Sequence, residues 1–431
     1  MLGRRNSVAV ILLMLSIIPV SAQFDTYSPY TRFGLGDFAK NGLGQNQAMG
    51  GTGVAIHENN RLNYLNPAAF SALDSMSVYF DIGANGFVNH YQTENFRKNW
   101  SNINFHHVVF ATSMGKYFGF STGIVPYSSI GYNIKQEYNN YITGDAIDYT
   151  FQGNGGIINF YAGASLKLFK RISLGASMKY LIGRLTRERT LVFPASSTYS
   201  SISVSERFNL RNPVYSFGLQ YKEVIREKFF FTIGGVYDLK SDIGASVNLS
   251  VTNKFYGQSG TYLNDSVFIN ANYPLGQDTL AGDFVLPEKL GVGISMGIPE
   301  KLIITGDYYI QDWSKTLSGE NFTLVNSSSM HFGVEYTPDI NALRGFHNLI
   351  SYRIGGYYYN TYLEVNGQPL KDYGINFGVG LPIRSKRTSF NVACTLGSRG
   401  TTEFNLVKEN YGIITFNVTL HDLWFYKRKF D

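Results

Sequence analysis

Between Leu290 and Ile298 every second residue is large and apolar: Leu290, Val292, Ile294, Met296, Ile298. Those between are small: Gly291, Gly293, Ser295, Gly297. A β-strand turns successive side chains to opposite faces, so this segment builds a wall with one apolar face and one face of minimal bulk. After the turn Pro299-Glu300-Lys301 the alternation resumes. Leu302, Ile304, Tyr308 and Ile310 continue one face, and Thr305, Asp307, Tyr309 and Gln311 the other. A soluble sandwich with one solvated face shares this alternation, so the choice depends on the rest of the chain.

From Met76 onward such runs recur, and their connections alternate between short and long. Short turns fall at Gly115-Lys116, Lys170-Arg171, Glu223 to Lys228, Pro299 to Lys301 and IRSKR near 383–387. Long loops are expected after Tyr91, at 139–154, 191–211, 253–288 and 314–327, at EVNGQPL and at 398–410. The count is about fourteen strands, an even number with tight turns at one end, which is the plan of a transmembrane antiparallel β-barrel. The basic residues of the tight turns, Lys116, Lys170, Arg171, Lys228, Lys301, Arg384, Lys386 and Arg387, place that end in the periplasm.

Composition supports a lipid-facing wall. The chain has 31 Tyr, 32 Phe and 45 Gly with only 16% charged residues, more aromatic surface than a water-exposed sandwich needs. Trp313 falls at the end of its strand, Trp100 in an expected loop and Trp424 just past the last strand, places where amphipathic rings suit a membrane interface. Arg4 and Arg5 precede an apolar run from Val8 to Val20, and Val20-Ser21-Ala22 reads as a cleavage site, so residues 1–22 are expected to be an export signal. That run is shorter than the roughly 20 residues of a membrane-spanning helix, and no second one follows. A net charge of +6, scattered over segment ends, gives nucleic acid no basic stripe to grip. Cys394 is the sole cysteine and reads as a small wall residue.

Catalytic and metal chemistry find no foothold. His106 and His107 are adjacent on a strand and are expected to point to opposite faces, so they cannot share an ion. Gly291-x-Gly293 leads to a turn rather than a helix and is no phosphate cradle. No serine, histidine and acid constellation marks a rim, so neither an enzyme nor a cofactor is expected. Asp307, Tyr309 and Asp312 are the candidate lumen residues, the two carboxylates lying near a strand top.

The N-terminal part differs from the wall. Residues 48–69, AMGGTGVAIHENNRLNYLNPAA, resemble the hatch of the FadL-like outer-membrane transporters of long-chain fatty acids, which carries a glycine pair and an Asn-Pro-Ala. These fall at Gly50, Gly51, Asn66, Pro67 and Ala68. Residues 286–314, from LPEKLG to QDWS, are similar to the same family's proline-led hairpin, ending in Asp312-Trp313-Ser314. SPYTRFGLGDF and the closing WFYKRKF are similar to a Bacteroidetes branch of the superfamily that includes subunits of secretion and barrel-assembly complexes. The resemblance implies a plug at 23–75 inside a barrel at 76–420, with a basic periplasmic tail at 421–431. Gly50, Gly51 and Gly53 would permit the tight turns of a gating hatch. Asn66-Pro67 would keep the segment out of the wall's ladder.

Two function classes fit an outer-membrane barrel of this kind. One is a hatch-gated passive transporter of hydrophobic small molecules such as long-chain fatty acids. The other is a non-transporting scaffold whose partners are subunits of an outer-membrane complex as well as lipid.

Overall fold

The computed structural model describes residues 26–424 apart from 95–96, 140–145, 194–200, 227, 244, 257–261, 271–283, 315, 317–321 and 384. The expected export signal and most of the expected tail lie outside the described residues.

Fourteen strands form one closed antiparallel barrel. They are β1 (Ser77–Gln92), β2 (Arg97–Met114), β3 (Phe118–Asn139), β4 (Ala146–Leu168), β5 (Ile172–Val192), β6 (Ser201–Ile225) and β7 (Phe229–Asp238). Then follow β8 (Lys289–Ile298), β9 (Leu302–Gln311), β10 (Ser327–Tyr336), β11 (Ser351–Val365), β12 (Gln368–Ile383), β13 (Ser385–Arg399) and β14 (Lys408–Leu423). Each pairs with its sequence neighbour, and β14 pairs with β1 over sixteen positions from Ser77↔Leu423 to Gln92↔Lys408, so the sheet has no terminal edge. Closure satisfies the backbone polar groups that lipid cannot, and the chain is a transmembrane β-barrel. Among the described residues no helix is long and apolar enough to cross a membrane.

The alternation of the β8–β9 hairpin maps onto the wall as the sequence predicts. Leu290, Val292, Ile294 and Met296 are exposed outward, while Ser295 and Thr305 are buried inside. Strand height varies round the circumference. β7, β8, β9 and β10 have 10 residues each, about what crosses a bilayer. β3 to β6 run to 22, 23, 21 and 25 residues, so one side of the barrel continues well beyond the lipid band. Above that band β6 exchanges β7 for a strand at Ala245–Tyr256, which forms a hairpin with Tyr262–Asn270.

Several expected long loops are strand instead. The connection after β1 is only 93–96, and EVNGQPL closes on Asn366-Gly367, with φ of 52° and 72°, an Asn-Gly hairpin turn. Polar residues at these heights lie beyond the membrane, where strands need not be apolar, so polarity alone misplaces the strand ends.

The segment from Thr26 to Ser75 fills the lumen. It has a 3-10 turn at Pro29–Arg32, a two-residue strand at Asp37–Phe38, a helical turn at Gly44–Gln47 and a 3-10 helix at Pro67–Ala72. Two large apolar clusters result among the described residues, beside a small one of Val54, Val236 and Tyr309. The lower one joins Leu43, Leu62, Phe70 and Leu73 to Tyr79, Val109 and Tyr161, and the upper one gathers Tyr30 and Leu35 with Ile130, Leu181, Trp313 and Tyr362.

Candidate functional site: hatch, lumen cavity and an unzipped seam

The hatch is seated on glycines. Gly119, Gly175, Gly218, Gly234, Gly293, Gly333, Gly355 and Gly378, on eight different wall strands, each lie where an added Cβ would collide with Phe70, Pro67, Asn66, Val54, Met49, Gly50 or Ala48 of the hatch, or in Gly293 with Asp307. The small inward face of β8, with its Gly293, is one sector of this seat. Gly50 and Gly51 adopt φ of 71° and 84°, so the turn there requires glycine, and a Cβ on Gly50 would meet the backbone of Phe332 and Gly356. Gly53 has no positive φ; a side chain there would crowd Leu65 and Asn63.

Polar contacts fix the seated hatch. Asp307 of β9 accepts the backbone N–H groups of Gly53 at 2.6 Å and Val54 at 2.9 Å. The Asn66 side chain accepts from Ala68 N–H at 3.0 Å and so caps the helix that Pro67 begins. Its amide donates to Val54 O at 2.7 Å and Gly235 O at 3.2 Å, joining the hatch to β7. Arg61 of the hatch and Arg353 of β11 both donate to the buried Glu335, Arg353 at 2.5 Å. His57 donates from Nδ1 to Gln220 at 2.6 Å, and Lys222 donates to His57 O at 2.6 Å. Burial first, and the Lys222 cation second, push the His57 imidazole down to about 3, so it is neutral in place.

His106 and His107 do not face opposite ways. β2 bulges here: Gly83 pairs with His107 and Ala84 with Phe105, leaving His106 unpaired. A bulge inserts one residue and resets the alternation, so both rings point inward. They form a relay from Gln47 of the hatch to His106 at 2.9 Å, His106 Nδ1 to His107 Nδ1 at 2.6 Å, and His107 Nε2 to Asp81 at 2.5 Å. Among the described residues no group of three His, Cys, Asp or Glu side chains is arranged to hold a metal.

The upper lumen is different in kind. A cavity of about 230 Å³ lies against the hatch, lined by Tyr30, Tyr64, Tyr127, Tyr309, Tyr357, Tyr359 and Tyr362 with Phe38, Leu181, Val214 and Val236. Its charges are largely matched: Lys40 with Asp372 at 2.6 Å and Lys179 with Asp238 at 2.8 Å. Tyr309 lies there with its hydroxyl unpartnered, the Lys289 ammonium 4.5 Å from its ring centre. Of the two expected lumen carboxylates, Asp307 is a hatch anchor. Asp312 caps its own loop by accepting from Ser314 N–H at 3.0 Å and Ser314 Oγ at 2.6 Å. Trp313 is not at the membrane interface; it is fully buried, its ring centre 4.9 Å from Tyr362 and 5.6 Å from Phe38. Trp100 sits within β2, stacked 6.1 Å from Tyr27. Trp424 is half-exposed just past β14.

The wall beside the cavity is unzipped. β2 and β3 pair only from Met114↔Phe118 to Val108↔Ile124; above that, β2 stays with β1 and β3 with β4. The break coincides with Pro126, which has no N–H to donate, and with a bulge between Pro126 and Ser128. The hatch covers the bared edge of β3. Asp37 and Phe38 pair with Ser129 and Ser128, Ala39 N–H donates to Tyr127 O at 2.9 Å, and Ser28 N–H to Gly131 O at 2.7 Å. Tyr27 spans the seam, donating to Asn133 O of β3 at 2.8 Å and accepting from Lys98 of β2 at 3.1 Å. A second cavity of about 80 Å³ lies at the seam, against Phe105, His106, Ser128 and Ser129. Asp37, Phe38, Ala39 and Lys40 line both cavities and form the partition between them. Sequence reasoning missed this seam, although a proline inside a wall strand was its signal.

A fourteen-strand barrel holding an N-terminal hatch defines a protein of FadL-like fold. The P. putida toluene transporter TodX superposes with a TM-score of 0.59 at 15% identity, over 90% of this chain and 99% of that one. The Ralstonia pickettii toluene transporter TbuX gives 0.58 at 15% over 88% and 98%, and a Pseudomonas aeruginosa FadL homologue 0.57 at 10% over 90% and 99%. At such identities the likeness is one of fold. No curated protein matches the sequence. Residues 4–431 match the BamG family, and the chain belongs to it.

Proposed function

We propose that this barrel is a hatch-gated passive channel for small hydrophobic molecules in the outer membrane, its tight-turn end in the periplasm. The observation that carries the reading is the pair of cavities divided by Asp37–Lys40, one aromatic and enclosed by the hatch, the other at the unzipped seam. An apolar solute entering from the tall side would rest among the tyrosines. When the Asp37–Phe38 strand leaves β3, it would pass sideways into the membrane. The two-residue strand is the shortest strand pairing among the described residues, and a short ladder gains few hydrogen bonds against the entropy of ordering it. The toluene transport named for two structural neighbours is in keeping with such a solute; long-chain fatty acids remain the other class the resemblance implies. On this reading Gly50, Gly51, Gly53, Asn66, Pro67 and Ala68 hold the hatch, Asp307 anchors it and Tyr309 contacts solute. The test is uptake of toluene and of a long-chain fatty acid by cells with and without the gene, beside cells carrying Phe38→Ala. Equal uptake with and without the gene overturns the proposal.

A second reading has its own observation. β3 to β6 stand far above the lipid band, presenting a rigid sheet that passive transport does not require, and the family resemblance includes subunits of secretion and barrel-assembly complexes. As such a subunit, the barrel would co-purify with stoichiometric partners in gentle detergent. Mass spectrometry finding only a lone barrel argues against it.

A further inference from the structure

We infer that Arg184, Arg207 and Arg211, on the outer face of β5 and β6, form a binding site for the phosphorylated headgroup of an outer-leaflet lipid. The inference rests on the outer-membrane placement proposed above, with the tall side facing outward.

The outward positions of β5 rise through Leu174, Met178 and Ile182 and then change to Arg184. Those of β6 rise from Tyr221 through Leu219, Phe217 and Tyr215 and then reach Arg211 and Arg207. Cross-strand register sets Ile182 opposite Arg211, Arg184 opposite Asn209 and Thr186 opposite Arg207. The three guanidinium groups therefore make a diagonal immediately above the last apolar residues, at the height where acyl chains give way to headgroups. Diagonal neighbours on adjacent strands stand roughly 7–8 Å apart, a span that one or two phosphates can bridge. Opposite Arg184 on its other flank is Gly156, whose lack of a side chain leaves that approach open.

Arg184 donates to Asn209 at 2.9 Å, which steadies it, and among the described residues none of the three has a carboxylate partner. Other cations of the upper wall are engaged: Arg189 with Glu206 at 2.9 Å, Lys135 with Asp148 at 2.9 Å, and Arg187 with Gly34 O. Of the outward acids nearby, Glu188 accepts from Ser203 at 2.7 Å. Guanidinium forks match phosphate bidentately, and the apolar column beneath offers the chains of the same lipid a surface to lie on. That continuity selects a lipid headgroup over a free anion.

The test uses the purified barrel in phosphatidylcholine nanodiscs, with diphosphoryl lipid A and its dephosphorylated form as probes and binding read by native mass spectrometry. The wild type is expected to retain diphosphoryl lipid A at least about tenfold more strongly than the dephosphorylated form. R184Q/R207Q/R211Q is expected to lose that preference, and Lys116→Gln with Lys228→Gln at the tight-turn end to keep it. Heat-modifiable migration shows that each variant is folded. Equal retention of the two probes by the wild type, an unchanged preference in the triple variant, or full competition by millimolar inorganic phosphate overturns the inference. Solute flux measured on the same samples is independent: flux without lipid preference sinks this inference alone, and lipid preference without flux sinks the channel alone.

Discussion

The lower and upper halves of the lumen are filled by the same N-terminal segment in different ways. Below, hatch backbone presses on wall glycines and is tied by buried polar bonds, from Asp307 through Asn66 to the Arg61–Glu335–Arg353 cluster. Above, the same segment meets aromatic rings across a cavity and holds the wall by a two-residue strand together with side-chain bonds such as Lys40 to Asp372 and Arg399 to Asp37. Close packing leaves no slack for motion, whereas a cavity beside a short ladder leaves room to rearrange. If the hatch gates, it gates at Thr26–Lys40, while Leu43–Ser75 stays as a fixed floor.

The strongest challenge to this division is to overfill the floor. Gly355→Val places methyl groups against Gly50 N and Met49, and overpacking of this kind typically costs about 1–3 kcal/mol. Because Gly333 and Gly356 confine the same turn, the upper end of that range is expected. Limited proteolysis should then cut the chain between residues 44 and 70 while the barrel keeps its heat-modifiable migration. A hatch that stays protected in Gly355→Val would show that the floor has more give than its packing implies.

Asp307→Ala tests the same floor through hydrogen bonding. It strands two buried N–H donors, each costing about 1–3 kcal/mol, so hatch protection should fall by about 2 kcal/mol or more. Asp307→Asn keeps an acceptor and should lose less. Hydrogen exchange at Gly53 and Val54 reads both, and equal losses in the two variants would deny the carboxylate its anchoring role.

The floor should also loosen in acid. His57 is held neutral with its pKa near 3 against an ordinary 6.5, so its contribution is complete above about pH 6.5 and is lost as pH falls toward 3. At pH 5 the loss from this group is about 2 kcal/mol, from about 1.36 kcal/mol per unit. Between pH 7.5 and 5 the wild type should therefore lose about 2 kcal/mol of hatch protection relative to His57→Asn over the same interval. A matching drop in both would move the cause elsewhere.

How much of this division is legible in the sequence follows from which residues act locally. The barrel is written in the period-two pattern of Leu290 to Ile298 and its repeats, because lipid on one side and a narrow lumen on the other constrain every wall residue. Gly50, Gly51, Asn66 and Pro67 are legible too, since a left-handed turn and a proline-led helix demand those residue types. Their receiving glycines, Gly218, Gly333 and Gly355, look like ordinary small wall positions until the partner strand is known. The His106 bulge is invisible in a run that alternates on both sides, because one inserted residue shifts the facing without any change of composition. Trp313 reads as interfacial from its place at a strand end, yet Phe38 and Tyr362 enclose it, contacts set by residues hundreds of positions apart or dozens away.

The upper half gives the smallest and most discriminating effects. Phe38→Ala removes a partly buried ring from the partition, and its loss of packing is offset by little else, so about 1 kcal/mol of hatch stability should go while leakage of apolar solute rises. Tyr309→Phe should be nearly silent in stability, within about 0.5 kcal/mol, since the hydroxyl it deletes is buried without a partner and already bears its desolvation cost. The same variant separates solute classes. Toluene has no group to accept from that hydroxyl, so its flux should not change, whereas a carboxylate solute lodged beside Lys289 would lose a hydrogen bond and about 1.5–3 kcal/mol of affinity. Parallel uptake of the two solutes by Tyr309→Phe decides whether the cavity selects by shape alone.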